Sequence, residues 1–364
     1  MKGSVRVGVI GTGYGRHHVR ALKAHPGVVV EAICSTDQAR AEADARELGI
    51  PAGFGDYRKM LESAPIDAVC VTTNPASHVE ICEASFRAGK HVLCTKPIGA
   101  NLREARHILD IARTSGLVHG VDQHYRYNPV TFHAKSMIAA GAIGSPLSAV
   151  SSLYFGIADY YGNPRASPNK NAWFSSSDRG GGFLLADAPH QFDRLLWYFG
   201  PVKTVVGHSR TAFKKVAATD GKVYDCDSDD TYHALFEFES GLLAAVMFNP
   251  TGWSGSLRHL EVHGESGSML LEGPGWDQSI RIGLGSEKDW KDVPIPVQLT
   301  AHDLPQGVTH AIYALFDRFV AAIAGGEPMS PSFEEGYKTQ ELIEAVLRSD
   351  ASGSRQTLPL PWDG

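Results

Sequence analysis

Residues 6–20 read RVGVIGTGYGRHHVR: a short apolar strand runs directly into Gly11-Thr12-Gly13-Tyr14-Gly15 and on toward a helix. That order predicts the first strand, turn and helix of a dinucleotide-binding domain, with all five turn residues against the cofactor. Gly11 permits the tight turn, Gly13 lets the backbone approach a pyrophosphate, and the first amides of the helix favour its negative charge. The G-x-G-x-x-G fingerprint asks for a third glycine at position 16, where this chain has Arg16, so the turn reads as one residue short.

The pattern outward from that turn supports it. Short apolar runs at 5–10, 28–34, 68–72, 91–94 and 118–121 alternate with helical periodicity at 17–24, 39–48, 76–88 and 102–115, as repeated βα units feeding a parallel sheet require. Gly49 and Gly89 stand where helices commonly end. About twenty residues after the glycines, such domains carry an acid for the ribose hydroxyls of NAD. Here Ser35 takes that place, with Thr36, Asp37 and Arg40 following. Ser35 neither repels a 2′-phosphate nor supplies a carboxylate, while Asp37 can still serve NAD, so NAD or NADP stays open with a tilt to NADP.

Beyond Asn128-Pro129 the pattern changes. A helix over 130–140 and a strand over 147–155 precede YHALFEF, LLAAVMF, HLEVHG and SMLLEG, strands separated by hairpin signals at Ser240-Gly241 and Glu265-Ser266-Gly267. Helices return at 311–324 and 333–349. The fold class is therefore α/β: a Rossmann domain over 1–125, then an α+β domain over 126–364 with a large open, mainly antiparallel sheet, its C-terminal helices able to pack back on the first domain. The loop over 156–179 is long for a compact domain, as binding loops often are.

Composition narrows the class. The 364 residues suit about two domains, and 34 basic against 40 acidic residues give a net charge of -6, which argues against nucleic-acid or anionic-membrane surfaces. The first residues lack a signal peptide's apolar core and no run suits a membrane span, so the expected location is cytoplasmic. Five cysteines without C-x-x-C spacing read as reduced core residues. Sixteen histidines include no H-E-x-x-H, and His17-His18 point to different helix sides, so no metal is expected.

Four further segments, TTNPASH (72–78), AGKHVLCTKPIG (88–99), VDQHYRYNP (121–129) and GGGFLLADAPHQFDRLLWYFG (180–200), are similar to those of the Gfo/Idh/MocA oxidoreductase family. The resemblance runs nearly end to end. Asn74-Pro75 reverse the family's usual order, and Thr95 replaces its glutamate before Lys96-Pro97. The resemblance implies NAD or NADP in the first domain, a sugar, cyclitol or related polyol held by the second, and homodimers or homotetramers through the second-domain sheet.

It also implies roles. Lys96 becomes the lysine that contacts the substrate hydroxyl near the nicotinamide, where a cation stabilises a developing alkoxide; the bland alternative is a surface lysine. His190 becomes the proton acceptor, a task suited to an imidazole titrating near ~6.5. Asp187 and Asp193 lie one turn to either side, so all three are expected on one helix face; the alternative is a histidine that braces the helix. The family's acid falls at the position of Ala186, one residue before Asp187. Thr73, Asn74, His78, Lys96, Pro97, Gln123 and Arg126 are read as cofactor contacts, with a helix cap or salt bridge open for His78 and a crossover brace open for Arg126 and Asn128. His124, Tyr160 and Trp173, with Lys96, Asp187 and His190, are read as substrate contacts, and Tyr161 and Trp253 as further stacking aromatics, against core or interface roles for the aromatics.

The leading expectation is reversible oxidation of a secondary hydroxyl on a sugar, cyclitol or glycoside. Two alternatives stand beside it: a glycosidase that holds NAD and works through transient oxidation and elimination, and a non-catalytic nucleotide sensor.

Overall fold

Strand β1 (Val5–Ile10) enters the glycine turn and α1 (Gly15–Ala24) follows it, in a computed structural model that describes residues 3–156, 174–177, 180–217, 222–252, 256–275, 277–285, 289–300, 304 and 307–361. The chain divides into two units, Met1–Tyr127 with His302–Gln340 and Asn128–Ala301 with Glu341–Gly364.

The first unit adds β2 (Val28–Cys34), α2 (Gln38–Leu48), β3 (Ala52–Phe54), α3 (Tyr57–Ser63), β4 (Ala68–Val71), α4 (His78–Arg87), β5 (His91–Thr95), α5 (Leu102–Ser115) and β6 (His119–Asp122). The six strands form one parallel sheet in the order β3-β2-β1-β4-β5-β6, the Rossmann order, whose switch point lies between β1 and β4. Alternation explains its two cores. Val5, Val7 and Val9 of β1 pack into one and Ile10 into the other, and β4 and β5 likewise supply both cores, so the central strands are buried on both faces as parallel strands require. The helix over 308–323 closes the first of these cores with Ile312, Leu315, Phe316 and Phe319. β3 and α3 escape a sequence reading because three half-buried residues are too few to show alternation.

In the second unit α6 (Pro129–Ala139) opens behind an Asn128 cap, whose side chain accepts the Val130 N–H at 3.0 Å. The strands are β7 (Pro146–Gly156), β8 (Val202–Arg210), β9 (Lys215–Ala217), β10 (Val223–Asp225), β11 (Thr231–Phe238), β12 (Leu243–Gly252), β13 (Leu257–Gly264), β14 (Gly267–Gly273), β15 (Ser279–Leu284), β16 (Lys291–Val293) and β17 (Gln356–Thr357). Nine of them form one sheet in the order β16-β15-β14-β13-β7-β12-β11-β8-β17. Its pairings are antiparallel except β7 with β12, so the sheet is mixed; no hairpin joins those two, and parallel neighbours need a crossover.

Short helix α7 (Phe183–Ala186) and then α8 (Ala188–Phe199) pack an aromatic face against the same sheet. Phe192 meets Tyr232 and Phe236 edge-on at 5.9 and 5.0 Å, and Phe183 stacks on Phe248 at 4.3 Å. The five cysteines are buried and unbridged. Among the described residues no helix is long and apolar enough to cross a membrane, and no three His, Cys, Asp or Glu side chains cluster as a metal site would need.

Candidate active site

The glycine turn is shaped by Thr72 at the end of β4. Its hydroxyl donates to the carbonyls of Ile10 and Gly11, both at 3.0 Å. A Cβ on Gly11, which has φ +108°, would lie 2.7 Å from that hydroxyl oxygen, and one on Gly15 would lie 2.6 Å from it and 3.0 Å from Val9. Gly15 therefore does the close helix-to-strand packing that the fingerprint gives its third glycine, which accounts for the shortened turn. A Cβ on Gly13 would meet nothing within 4 Å, so this glycine faces the open side of the turn. The first turn of α1 contains no acidic residue and Tyr14 makes no side-chain cap, so its amides suit a diphosphate. The turn fits a dinucleotide. Arg16 is directed elsewhere, forking onto Glu47 at 2.6 and 2.8 Å and also pairing with Asp44.

At the end of β2, Asp37 is the N-cap of α2: its carboxylate accepts the Arg40 N–H at 2.9 Å. Ser35 is half-buried, Thr36 is exposed, and the exposed Arg40 guanidinium stands 3.8 Å from Asp44.

Along the carboxyl edge of the sheet, His78 acts as a clasp. Its Nδ1 lies 3.0 Å from the Pro97 carbonyl and its Nε2 3.1 Å from the Thr73 carbonyl, so the ring sits between the loops after β4 and β5 and, when neutral, donates its one N–H to one of the two. Burial pushes its pKa down to about 4. Ser77 donates to Thr73 at 2.8 Å and to the Asn74 carbonyl at 2.9 Å, which fixes that loop. Lys96 is half-buried beside fully buried Pro97. Gln123 donates to Thr339 at 2.9 Å, and Arg126, 2% exposed, pairs with Glu335 at 2.5 Å and Ser330 at 3.1 Å; both brace the last segment of the unit.

A buried polar cluster escaped the sequence reading. Asp122, at the end of β6, accepts from His18 at 3.0 Å and from His124 at 2.7 Å, while the other nitrogen of His124 lies 3.4 Å from the Tyr14 hydroxyl. All three are 1–2% exposed, so His124 is enclosed rather than presented to a substrate. Burial opposes a charge on Asp122, yet His124 and His18 hold its carboxyl well below the usual range. The only sequence signal was an aspartate closing an apolar strand two residues before His124.

In the second unit, α8 carries His190 (6% exposed), Asp193 (1%) and Arg194 (5%). Arg194 donates to Ser151 at 3.2 Å, and Ser151 to Gln191 at 3.3 Å, fixing the helix to β7. Asp187 does not share the helix: it stands at the break before α8 with φ -122° and ψ -36°, because Pro189 starts a fresh first turn. It stays joined to His190, whose N–H donates to the Asp187 carbonyl at 3.0 Å. Asp187 Oδ2 and the Tyr232 hydroxyl are buried without a hydrogen-bond partner among the described residues.

Asp229 shapes the approach to this break. Its carboxylate accepts the Leu184 N–H at 2.8 Å, and a Cβ on Gly182 would come within 2.2 Å of it, so only glycine fits there. Burial pushes the Asp229 carboxyl up to about 7. Burial also raises the Tyr232 phenol, helped by Asp187 and Asp229. This unit thus collects an imidazole, two carboxyls and a phenol where proton transfer is possible. Tyr160, Tyr161, Trp173 and Trp253 lie outside the described residues.

Comparison with known proteins agrees with this architecture. Residues 5–123 match the GFO_IDH_MocA family described as "Oxidoreductase family, NAD-binding Rossmann fold", and residues 135–360 match its C-terminal alpha/beta domain. The chain is 27% identical over 395 residues to levoglucosan dehydrogenase of Pseudarthrobacter phenanthrenivorans, covering 98% of each protein. It is 29% identical over 274 residues to scyllo-inositol 2-dehydrogenase (NAD(+)) of Bacillus subtilis, covering 74% of this chain and 75% of that one. A solved levoglucosan dehydrogenase in complex with NADH and L-sorbose superposes with a TM-score of 0.88 at 25% identity, over 99% of this chain and 100% of that one.

Proposed function

The chain belongs to the Gfo/Idh/MocA oxidoreductase family, and from that premise we propose that it transfers hydride between a secondary hydroxyl carbon of a sugar, cyclitol or glycoside and a nicotinamide dinucleotide. When bound, NAD or NADP supplies the hydride acceptor at its nicotinamide. The glycine turn holds the diphosphate, with Thr72 fixing the turn's shape. Lys96 directs its ammonium at the substrate oxygen and stabilises negative charge as the hydroxyl proton leaves. His190 takes that proton, and Asp187, next to it at the helix break, favours the imidazolium that forms.

The observation that carries this reading is Lys96 at the carboxyl end of β5, two strands from the glycine turn on the edge where ligands of open α/β sheets bind. With Asp37 capping α2 and Ser35 in the acid's place, the ribose site accepts NADP at least as well as NAD. The outer face of the second-unit sheet supports self-association: Val206, Leu235, Ala245 and Val150 pair across four neighbouring strands, and Leu235 is 61% exposed.

The test is a panel of sugars, inositols and anhydrosugars, with levoglucosan and scyllo-inositol included, assayed by NAD(P)H absorbance with wild type and His190→Asn. Wild-type turnover that His190→Asn abolishes supports the reading. Absence of turnover on every polyol, or full turnover by His190→Asn, removes it.

A further inference from the structure

The buried cluster at the end of β6 is unused by the mechanism above, and with neutral imidazoles beside an ionised Asp122 its hydrogen bonds run in one direction. An ionised Asp122 has no proton to give, so both imidazoles donate to it: His18 from Nε2 at 3.0 Å and His124 from Nδ1 at 2.7 Å. A neutral His124 then carries its lone pair on Nε2, which faces the Tyr14 hydroxyl at 3.4 Å. Tyr14 must donate inward.

The far end of the chain is closed. His18 Nδ1 is buried with no hydrogen-bond partner among the described residues, and the His18 ring packs edge-on against Phe316. A proton passed to His18 finds no acceptor on its far side among the described residues. The chain's outer end is Tyr14, a residue 38% exposed that lies between Gly13 and Gly15 in the turn itself, with a phenol that burial holds in its neutral form. With its proton committed to His124, the phenol oxygen offers lone pairs outward and recognises a hydrogen-bond donor.

We propose that Asp122 is a positioning residue that, through His124, fixes the Tyr14 hydroxyl as an acceptor for a hydroxyl or amide donor of the bound dinucleotide. The inference rests on dinucleotide binding at the glycine turn. Phosphate oxygens lack a donor at neutral pH, so the contact is with a ribose hydroxyl or the carboxamide.

Asp122→Asn gives this a sharp form. An asparagine amide donates on one side, so where its NH2 faces His124 the imidazole takes the other tautomer. Nε2–H then points at Tyr14 and reverses the polarity of its hydroxyl.

The experiment is a titration of NADH, followed by fluorescence, into wild type, Tyr14→Phe, Asp122→Asn and the double variant. Tyr14→Phe keeps the ring at a partly exposed position and is expected to weaken binding about fivefold, the effect of one lost hydrogen bond. Asp122→Asn is expected to weaken it at least as much, and adding Tyr14→Phe to Asp122→Asn to cost nothing further, because both act through one oxygen. A purely structural role for Asp122 predicts that the two losses multiply. Multiplying losses, or wild-type affinity in Tyr14→Phe, overturn the inference while leaving dinucleotide binding in place. Failure of the wild type to bind NADH overturns the functional reading as well. If Asp122→Asn does not fold, His124→Phe, which leaves Tyr14 no acceptor, takes its place in the same cycle with the same expected non-additivity.

Discussion

Lys96→Ala is expected to lower turnover by at least about 10²-fold while leaving dinucleotide affinity within about twofold, because it removes charge from the substrate oxygen and leaves the glycine turn intact. Steady-state kinetics beside a binding titration check it; near-normal turnover takes the lysine out of the mechanism. Asp187 offers a finer test. Its break position lets it tune His190 without being the proton acceptor, so Asp187→Asn is expected to reduce turnover and alter the pH-rate profile, and His190→Asn to do more damage. An unchanged profile in Asp187→Asn, with His190→Asn inactive, would leave Asp193 as the partner.

At the level of elements, two polar side chains join neighbouring pieces of the first unit. His78 is neutral in the fold, its pKa pushed by burial from 6.5 to about 4, so the unfolded chain binds its proton over that interval and the native one does not. The stabilisation is complete above about pH 6.5 and declines as the pH falls toward about 4. His17, His91 and His119 are shifted down by burial as well, so His78→Gln is expected to flatten, not abolish, the fall of the urea midpoint across this interval. An unaltered slope would contradict the lowered pKa of the buried His78. Asp37 is committed to α2, and Asp37→Ala is expected to cost about 1 kcal/mol of stability through the lost cap while leaving NADP affinity unchanged. If the variant instead loses NAD binding selectively, Asp37 is the ribose ligand and the tilt to NADP was mistaken.

For the whole molecule, the exposed apolar row on the second sheet is where association is expected. Leu235→Glu sets a charge opposite Val206 and Ala245, and light scattering should then report a smaller species than wild type with an unchanged far-ultraviolet spectrum. Equal masses would move the interface elsewhere.

The parallel Rossmann character of the first sheet, the glycine turn and most element boundaries were legible in the chain because burial on both faces leaves long apolar runs and glycines mark turns locally, whereas β3 and the strand order were not. The register puzzle at Arg16 was legible only as a puzzle. Thr72, distant in sequence, decides it by excluding a side chain from Gly15. The same holds for Asp187, where a proline-started turn interrupts the helical spacing that sequence alone assumes, and for β7, which pairs in parallel with a strand far along the chain. Lys96 and His190 were singled out from the sequence because the motifs around them are contiguous, and their roles await the variants above. The joining of His124 to Asp122 and His18 was not legible, since a buried carboxylate between two imidazoles is assembled from separated segments, and only the tertiary structure brings together groups whose charge and proton positions depend on one another.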